Sequence, residues 1–368
     1  MNKKKKDLKL RLPFRILIVV IGVILVVSIY YPVRSICKLH SHNYSISNSI
    51  EMYKDGMYDY LMDREYSETV DKTYHDKDFN KEYIDSYMKI KYHDSGSFLD
   101  NINRMLKAEY SIDEINLIYS KVSDDFIDEI ADKRVYDLIK YLEIDNFKED
   151  NYERYVKYFN GNYKKTVLYV NISLDKNDYE DPVITDKFSI TMLVNKHHGV
   201  SKEFIVPDLV DIDSEYSDGE NKMNKEAADA FVSMAKDAKK EGYKILANSS
   251  YRDYERQESL YNYYLKLYGE AYNKKYVTKP GFSEHETGLS VDIKSKSSAI
   301  FANSKEYKWV LKNGYKYGFI HRYPKSKIDI TGISSESWHF RYVGKDIAKY
   351  VYENGLSYEE YYAMFIDK

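Results

Sequence analysis

The chain holds a single cysteine, Cys37, in 368 residues. That excludes an intrachain disulfide framework and any multi-cysteine zinc knuckle, so a bound metal would have to be held by His, Asp or Glu. Net charge is also scarce, with 56 Lys and Arg against 59 Asp and Glu. Without a global basic field, or runs of interleaved arginine and aromatics, nucleic acid is not expected as a partner. A third absence lies in "GFSEHETGLSVDI", residues 281–293, where His285 and Glu286 begin like the metal-binding helix signature H-E-x-x-H. The second histidine is missing: Leu289 stands in its place, and Gly288 would weaken such a helix. A metal site here needs its other ligands from elsewhere in the chain.

Apolar residues are not lacking. At 43% hydrophobic and 15% aromatic the chain can build cores, which excludes a disordered protein, and its length accommodates a membrane segment plus two domains. The 41 tyrosines point to biased composition more than to a function.

Lys3 to Lys6, Lys9, Arg11 and Arg15 precede an uncharged apolar run from Ile16 to Tyr31. As a helix this run spans roughly 24 to 27 Å, close to the hydrocarbon thickness of a bilayer. A cleavable signal would carry a shorter apolar region followed by a small-x-small site, which only Val33-Arg34-Ser35 approximates. A lipoprotein would need a small residue before its cysteine, whereas Ile36 precedes Cys37. The expectation is an uncleaved, single-pass anchor in the cell membrane, its basic tail cytoplasmic and its C-terminal domain extracytoplasmic. Residues 1–35 are read as tail and anchor, 36–160 as a stalk and helical region, and 161–368 as the domain that carries chemistry.

From Leu39 to Ser97 the sequence is polar and Tyr-rich, suggesting a stalk or irregular helices. Ser111 and Glu114 form a capping box for a helix with Ile112, Ile115, Ile118 and Tyr119 at helical spacing. Further short helices are expected over 124–131, 135–143 and 151–159. "TVLYVNIS" from Thr166 reads as a strand, which places the domain boundary near Gly161. Helices follow over 224–240, with Ala227, Phe231, Met234 and Ala238 as a core-facing stripe, over 253–268 and over 304–317. Interspersed with short strands, they indicate an α+β domain.

Residues 289–293 alternate strictly, with Leu289, Val291 and Ile293 on one face of a strand and Ser290 and Asp292 on the other. "ESWHFRYVG" behaves similarly: Trp338, Phe340 and Tyr342 are expected to face the core, with His339 and Arg341 opposite. With His285 in the turn before the first strand, His285, Asp292 and His339 can converge as the two-nitrogen, one-oxygen set of a catalytic zinc. Glu336 lies three residues before His339, an odd separation, so facing the same site requires a bend or bulge at Ser337. His197 and His198 are adjacent and therefore poor joint ligands. His321 reads as a pocket or packing residue in a strand, and Arg322 as a candidate to bind a carboxylate.

The pattern S-x-H-x-x-G-x-x-x-D followed by E-x-W-H-x-R-Y-V-G resembles the VanY-type D-alanyl-D-alanine carboxypeptidases, zinc peptidases of the bacterial cell wall. The resemblance extends upstream to "LVNKHHGVSKEFIVPDL" (193–209) and "SSYRDYERQESLY" (249–261). It implies a zinc DD-peptidase fold, a small antiparallel sheet with flanking helices, here preceded by a transmembrane helix and a mostly helical region. It also implies Zn2+ on His285, Asp292 and His339, Glu336 as the catalytic base, and Arg252 as the residue that polarises the scissile carbonyl. Ser283 and Gln257 fall at positions that shape the substrate pocket. Two departures are Ser290, where the family usually has Ala, and Ser337, where it often has Pro. The implied activity is zinc-dependent trimming of peptidoglycan stem peptides at D-alanyl-D-alanine. The alternatives are L,D-carboxypeptidase or endopeptidase action on the same stems, and a non-catalytic peptidoglycan-binding protein.

Overall fold

The apolar run near the N-terminus lies in the helix Leu12–Ser41, whose 30 residues extend about 45 Å. The structure, a computed structural model, describes residues 12–367, so the basic residues Lys3 to Lys6, Lys9 and Arg11 lie outside the described residues. Ile16, Val19, Ile24 and Val26 stand exposed along this helix, while Leu39 near its end is buried. Among the described residues, this is the helix long and apolar enough to cross a membrane.

The chain divides into two compact units, Met1–Glu143 and Ile144–Lys368. In the first, where a stalk or irregular helices were expected, the chain forms short helices, including Ile46–Lys54, Tyr58–Met62, Glu68–Thr73 and Phe98–Lys107. Serine punctuates the unit: Ser45, Ser67, Ser111 and Ser123 each accept a hydrogen bond from the backbone N–H three residues on, starting a new helix. Ser111 and Glu114 form the expected capping box. Tyr44, Met52, Leu61, Val70, Tyr87, Ile102 and Ile115 are fully buried, so the polar sequence hides a core partly built from tyrosine.

The second unit begins ahead of the boundary expected at Gly161. The side chain of Asn146 donates to the Ala363 carbonyl, and Lys148 pairs with Asp367 at 2.9 Å, which ties residues 144–171 to the C-terminal helix Tyr358–Phe365. Residues Tyr163–Asn171 form a helix, correcting the strand expected from Thr166. Thr166 to Val170 are all buried, and a short apolar run buried all round has the same pattern in either conformation; the Asn162 cap, accepting from the Lys165 N–H, starts the helix.

Two small strand pairs come next: β1 (Val183–Ile184) with β2 (His198–Gly199), and β3 (Leu209–Asp211) with β4 (Lys222–Asn224). The main sheet is antiparallel, with β5 (Ile245–Ser249), β6 (Ser290–Ser295), β7 (Phe319–Tyr323) and β8 (Glu336–Tyr342) in the order β5-β6-β8-β7. Ala247, Leu289, Val291, Ile293, Phe319 and Phe340 join a core completed by the helix Lys225–Lys240 through Ala227, Phe231, Met234 and Ala238. Period-2 strands thus give one face to the core and leave Asp292 and His339 on the other. Trp338 departs from the expected core alternation and is 42% exposed. The cause is a bulge: between the pairs His321↔Phe340 and Tyr323↔Glu336, β8 advances four residues while β7 advances two. The bend required at Ser337 is present there, and it turns Trp338 out of the core.

Candidate active site

Residues Glu284–Thr287 form a tight 3-10 turn after Ser283, closed by a capping box between Ser283 and Glu286. Gly288 ends the turn at φ +66°, and a Cβ there would lie 2.8 Å from Val206 Cγ1 and 3.2 Å from the Asn224 nitrogen. Only glycine fits both the left-handed conformation and the close approach, and it leads directly into β6. His285 is thereby fixed at the mouth of the strand that carries Asp292, whose register partner on β8 is His339.

The three side chains meet. One ligand atom from each of His285, Asp292 and His339 lies within 4.8 Å of the others. His285 Nδ1–H donates to the Ser250 carbonyl at 2.6 Å, which leaves the Nε2 lone pair facing Asp292 Oδ1 at 3.4 Å. His339 Nε2–H donates to Glu284 at 3.1 Å, which turns Nδ1 to Asp292 Oδ1, also at 3.1 Å. Each ring nitrogen that points away from the cluster has an acceptor, so each imidazole in its neutral form directs its lone pair inward. Burial, reinforced by Arg252, pushes His285 down to about 4. Burial alone would also lower His339, but its bonds to Asp292 and Glu284 outweigh that and hold it at about 9. A cluster that retains a proton on one imidazole against a buried carboxylate is a cluster that favours a cation.

Glu336 sits at the bulge with Oε2 4.0 Å from His339 Nδ1. Burial pushes its carboxyl up to about 7, only partly offset by His339. Arg252 donates from Nε to Gln257 Oε1 at 3.1 Å and from Nη1 to Ser249 Oγ at 2.9 Å, while Gln257 Nε2 donates to the Thr278 carbonyl at 2.9 Å. The guanidinium is therefore held by two side chains, one of them anchored to backbone. Arg252, Gln257, Ser283, His285, Asp292, Glu336 and His339 all line one cavity of about 450 Å³.

The remaining histidines lie apart. His197 and His198 are buried outside the ligand cluster, and burial pushes His198 down to about 4. His321 donates or accepts through Nε2 at 2.9 Å from the Glu336 carbonyl; since a carbonyl only accepts, this nitrogen carries the hydrogen and the ring braces the bulge. Arg322, expected to be available to a carboxylate, is fully buried and already bonded to Glu284 at 2.7 Å and to Glu359 at 2.6 and 2.9 Å. Ser290, the small departure beside Asp292, is buried with its hydroxyl unpartnered.

Sequence reasoning missed Glu284. It is fully buried, and its carboxylate accepts from His339, Arg322 and Arg341. Burial would raise its pKa, but the two arginines hold it well below the usual carboxylate range. The one signal available was its place beside His285.

A sequence profile of the VanY family, described as D-alanyl-D-alanine carboxypeptidase, matches residues 220–345. The protein YodJ of Bacillus subtilis (strain 168) is 45% identical over 183 residues, 47% of this chain and 67% of YodJ. The bifunctional D-Ala-D-Ala dipeptidase and D-Ala-D-Ala carboxypeptidase VanXYC of Enterococcus gallinarum is 34% identical over 177 residues, 46% of this chain and 92% of VanXYC. Among solved structures, the LD-carboxypeptidase LdcB is 45% identical, with a TM-score of 0.45, covering 48% of this chain and 86% of LdcB.

Proposed function

The chain belongs to the VanY family of D-alanyl-D-alanine carboxypeptidases, and from that premise we propose that its second unit is a zinc-dependent carboxypeptidase removing the terminal D-alanine of peptidoglycan stem peptides. The observation that carries the reading is the convergence of His285 Nε2, Asp292 Oδ1 and His339 Nδ1, with each outward ring nitrogen bonded to an acceptor. Two neutral nitrogens and one carboxylate fit zinc in a catalytic site, and the outer partners Ser250 and Glu284 are of the kind that orient such ligands. These three residues would hold the ion, which when bound supplies Lewis acidity that acidifies water towards a pKa of about 7 and polarises a carbonyl.

The protein's own residues do the rest. Glu336, buried enough to hold a proton near neutrality, takes the proton from the attacking water and returns it to the departing amine. Arg252, fixed by Gln257 and Ser249, offers its free donors to the carbonyl oxygen as charge develops there. Ser283, on the cavity wall before His285, shapes the space for the substrate's end.

The test is digestion of defined muropeptides by the full chain in detergent, with the products weighed. Loss of one alanine from pentapeptide stems, with tetrapeptides untouched, is expected. Tetrapeptides losing alanine instead would make the enzyme an L,D-carboxypeptidase, and cleavage inside cross-links an endopeptidase. Glu336→Gln should keep zinc and lose at least about a hundredfold in turnover; binding of stems without hydrolysis by the unaltered protein would leave a peptidoglycan-binding protein. We assign the helix Leu12–Ser41 as a single-pass anchor that contacts the bilayer, with the catalytic unit outside the cell. Protease added to wall-stripped cells should then remove the second unit, and protection would refute the topology.

A further inference from the structure

One wall of the active-site cavity is a ladder of tyrosines. Tyr264 and Tyr268 belong to the helix Tyr254–Tyr268, and Tyr272 and Tyr276 to the helix Glu270–Tyr276 that follows the turn at Gly269. The spacing of four puts Tyr264 and Tyr268 on one face of the first helix and Tyr272 and Tyr276 on one face of the second, and the turn at Gly269 brings the two pairs together. Tyr264 stacks on Tyr272 with centroids 5.8 Å apart; Tyr268 lies 4.6 Å from Tyr272, and Tyr276 lies 4.8 Å from it. Tyr264, Tyr272 and Tyr276 line the same cavity as Glu336 and Arg252, and so does Trp338, turned out by the bulge. The ladder does not stop at the cavity. Tyr268 is 59% exposed and touches the cavity-lining rings from outside, and Tyr276 is 46% exposed. Rings that a core would cover are here open to solvent, in a continuous run from the catalytic cleft to the surface.

We infer that this ladder is a saccharide subsite, binding the N-acetylated sugar to which a stem peptide is attached, so that glycan-linked stems are preferred over free ones. The inference rests on the carboxypeptidase reading given above. A sugar ring has an apolar C–H face and a polar rim. Exposed tyrosines match both, with aromatic surface for the first and hydroxyls for the second. A stem's sugar sits at the end opposite its terminal residue, so with the scissile bond in the cavity the sugar lies towards the surface, the way Tyr268 and Tyr276 carry the ladder.

The experiment compares one pentapeptide stem, free and linked to its disaccharide, on the full-length protein. The KM of the linked form should be roughly threefold to tenfold lower, the range that one or two aromatic contacts supply, with kcat little changed. Tyr268→Ser and Tyr272→Ser should bring the ratio of the two KM values towards one. In parallel, an N-acetylglucosamine tetramer without peptide should perturb the tyrosine ring signals in NMR spectra of the unaltered protein and not of the double variant. Equal KM values for both substrates would overturn the subsite while leaving the carboxypeptidase assignment intact. An equal loss on both substrates in the tyrosine variants would make the ladder a peptide-binding wall and also overturn it. Hydrolysis of neither substrate would defeat the assignment of activity instead, and the saccharide titration would then decide the subsite alone.

Discussion

Glu284 ties the cluster of His285, Asp292 and His339, proposed above to hold zinc, to the rest of its unit, and its replacement by glutamine separates two effects that a larger truncation would merge. The carboxylate accepts from His339 Nε2 at 3.1 Å, from Arg322 Nε at 2.7 Å and from Arg341 Nη1 at 3.4 Å, with no solvent exposure. Glutamine keeps the shape and one acceptor but removes the charge, so Arg322 would keep Glu359 as its buried carboxylate partner, while Arg341 would be left with the backbone carbonyls of Tyr342, Ile190 and Met192. Breaking a buried ion pair from one side costs about 3 to 5 kcal/mol, and a unit of this size loses about 2 to 4 °C of Tm per kcal/mol. Thermal unfolding of the chelated protein should therefore show Glu284→Gln melting roughly 6 to 20 °C below wild type. Separately, His339 loses the charged acceptor that sustains its basicity, and zinc affinity measured against a competing chelator should fall about tenfold to a hundredfold. Glu359→Gln supplies the control. Glu359 touches Arg322 but not His339, so that variant should lose comparable stability while binding zinc nearly as wild type does. If Glu284→Gln melted within about 2 °C of wild type and kept full zinc affinity, the carboxylate would have neither role.

The convergence of His285, Asp292 and His339 was legible because it obeys local rules. Strict alternation over 289–293 puts Asp292 opposite the core face, and a glycine-terminated turn delivers His285 beside it. Glu336 was legible only as a conflict, an odd spacing that demanded a bend, and the register of β7 against β8 contains that bend. The same bulge defeated the expectation for Trp338, since an inserted pair of residues breaks the alternation on which that expectation relied. Arg252 and Gln257 carried no pattern of their own; family resemblance pointed to them, and their mutual hydrogen bond is a tertiary fact. Glu284 was invisible for a related reason. Its partner Arg322 is 38 residues away, and a charged residue in a turn reads as solvated until the chain is folded. In the first unit, helices of five to ten residues are too short for periodicity to stand out, and tyrosine serves there as core.

The pH dependence follows from Glu336. With its carboxyl raised to about 7 by burial, the proton-accepting form is the minor one below neutrality, so kcat/KM should climb about tenfold per pH unit up to about 7 and then level; a limb centred near the ordinary carboxylate value of about 4.3 would contradict this. Gly288→Ala should destabilise the protein by about 1 to 3 kcal/mol in denaturant unfolding, because the new Cβ meets Val206 at 2.8 Å in a left-handed conformation. An unchanged midpoint would show that the turn can relax. For Arg252, what matters is when its donors act. Gln257 and Ser249 fix the guanidinium in advance, so little reorganisation is needed as charge grows on the carbonyl oxygen. Arg252→Ala should therefore lower kcat by about a hundredfold to a thousandfold, as for other preorganised donors to a developing oxyanion, with KM little moved. Gln257→Leu should produce a smaller loss in the same constant, since it frees the guanidinium without removing its charge. A change confined to KM in both variants would make Arg252 an anchor of the bound substrate and leave the developing charge without its protein donor.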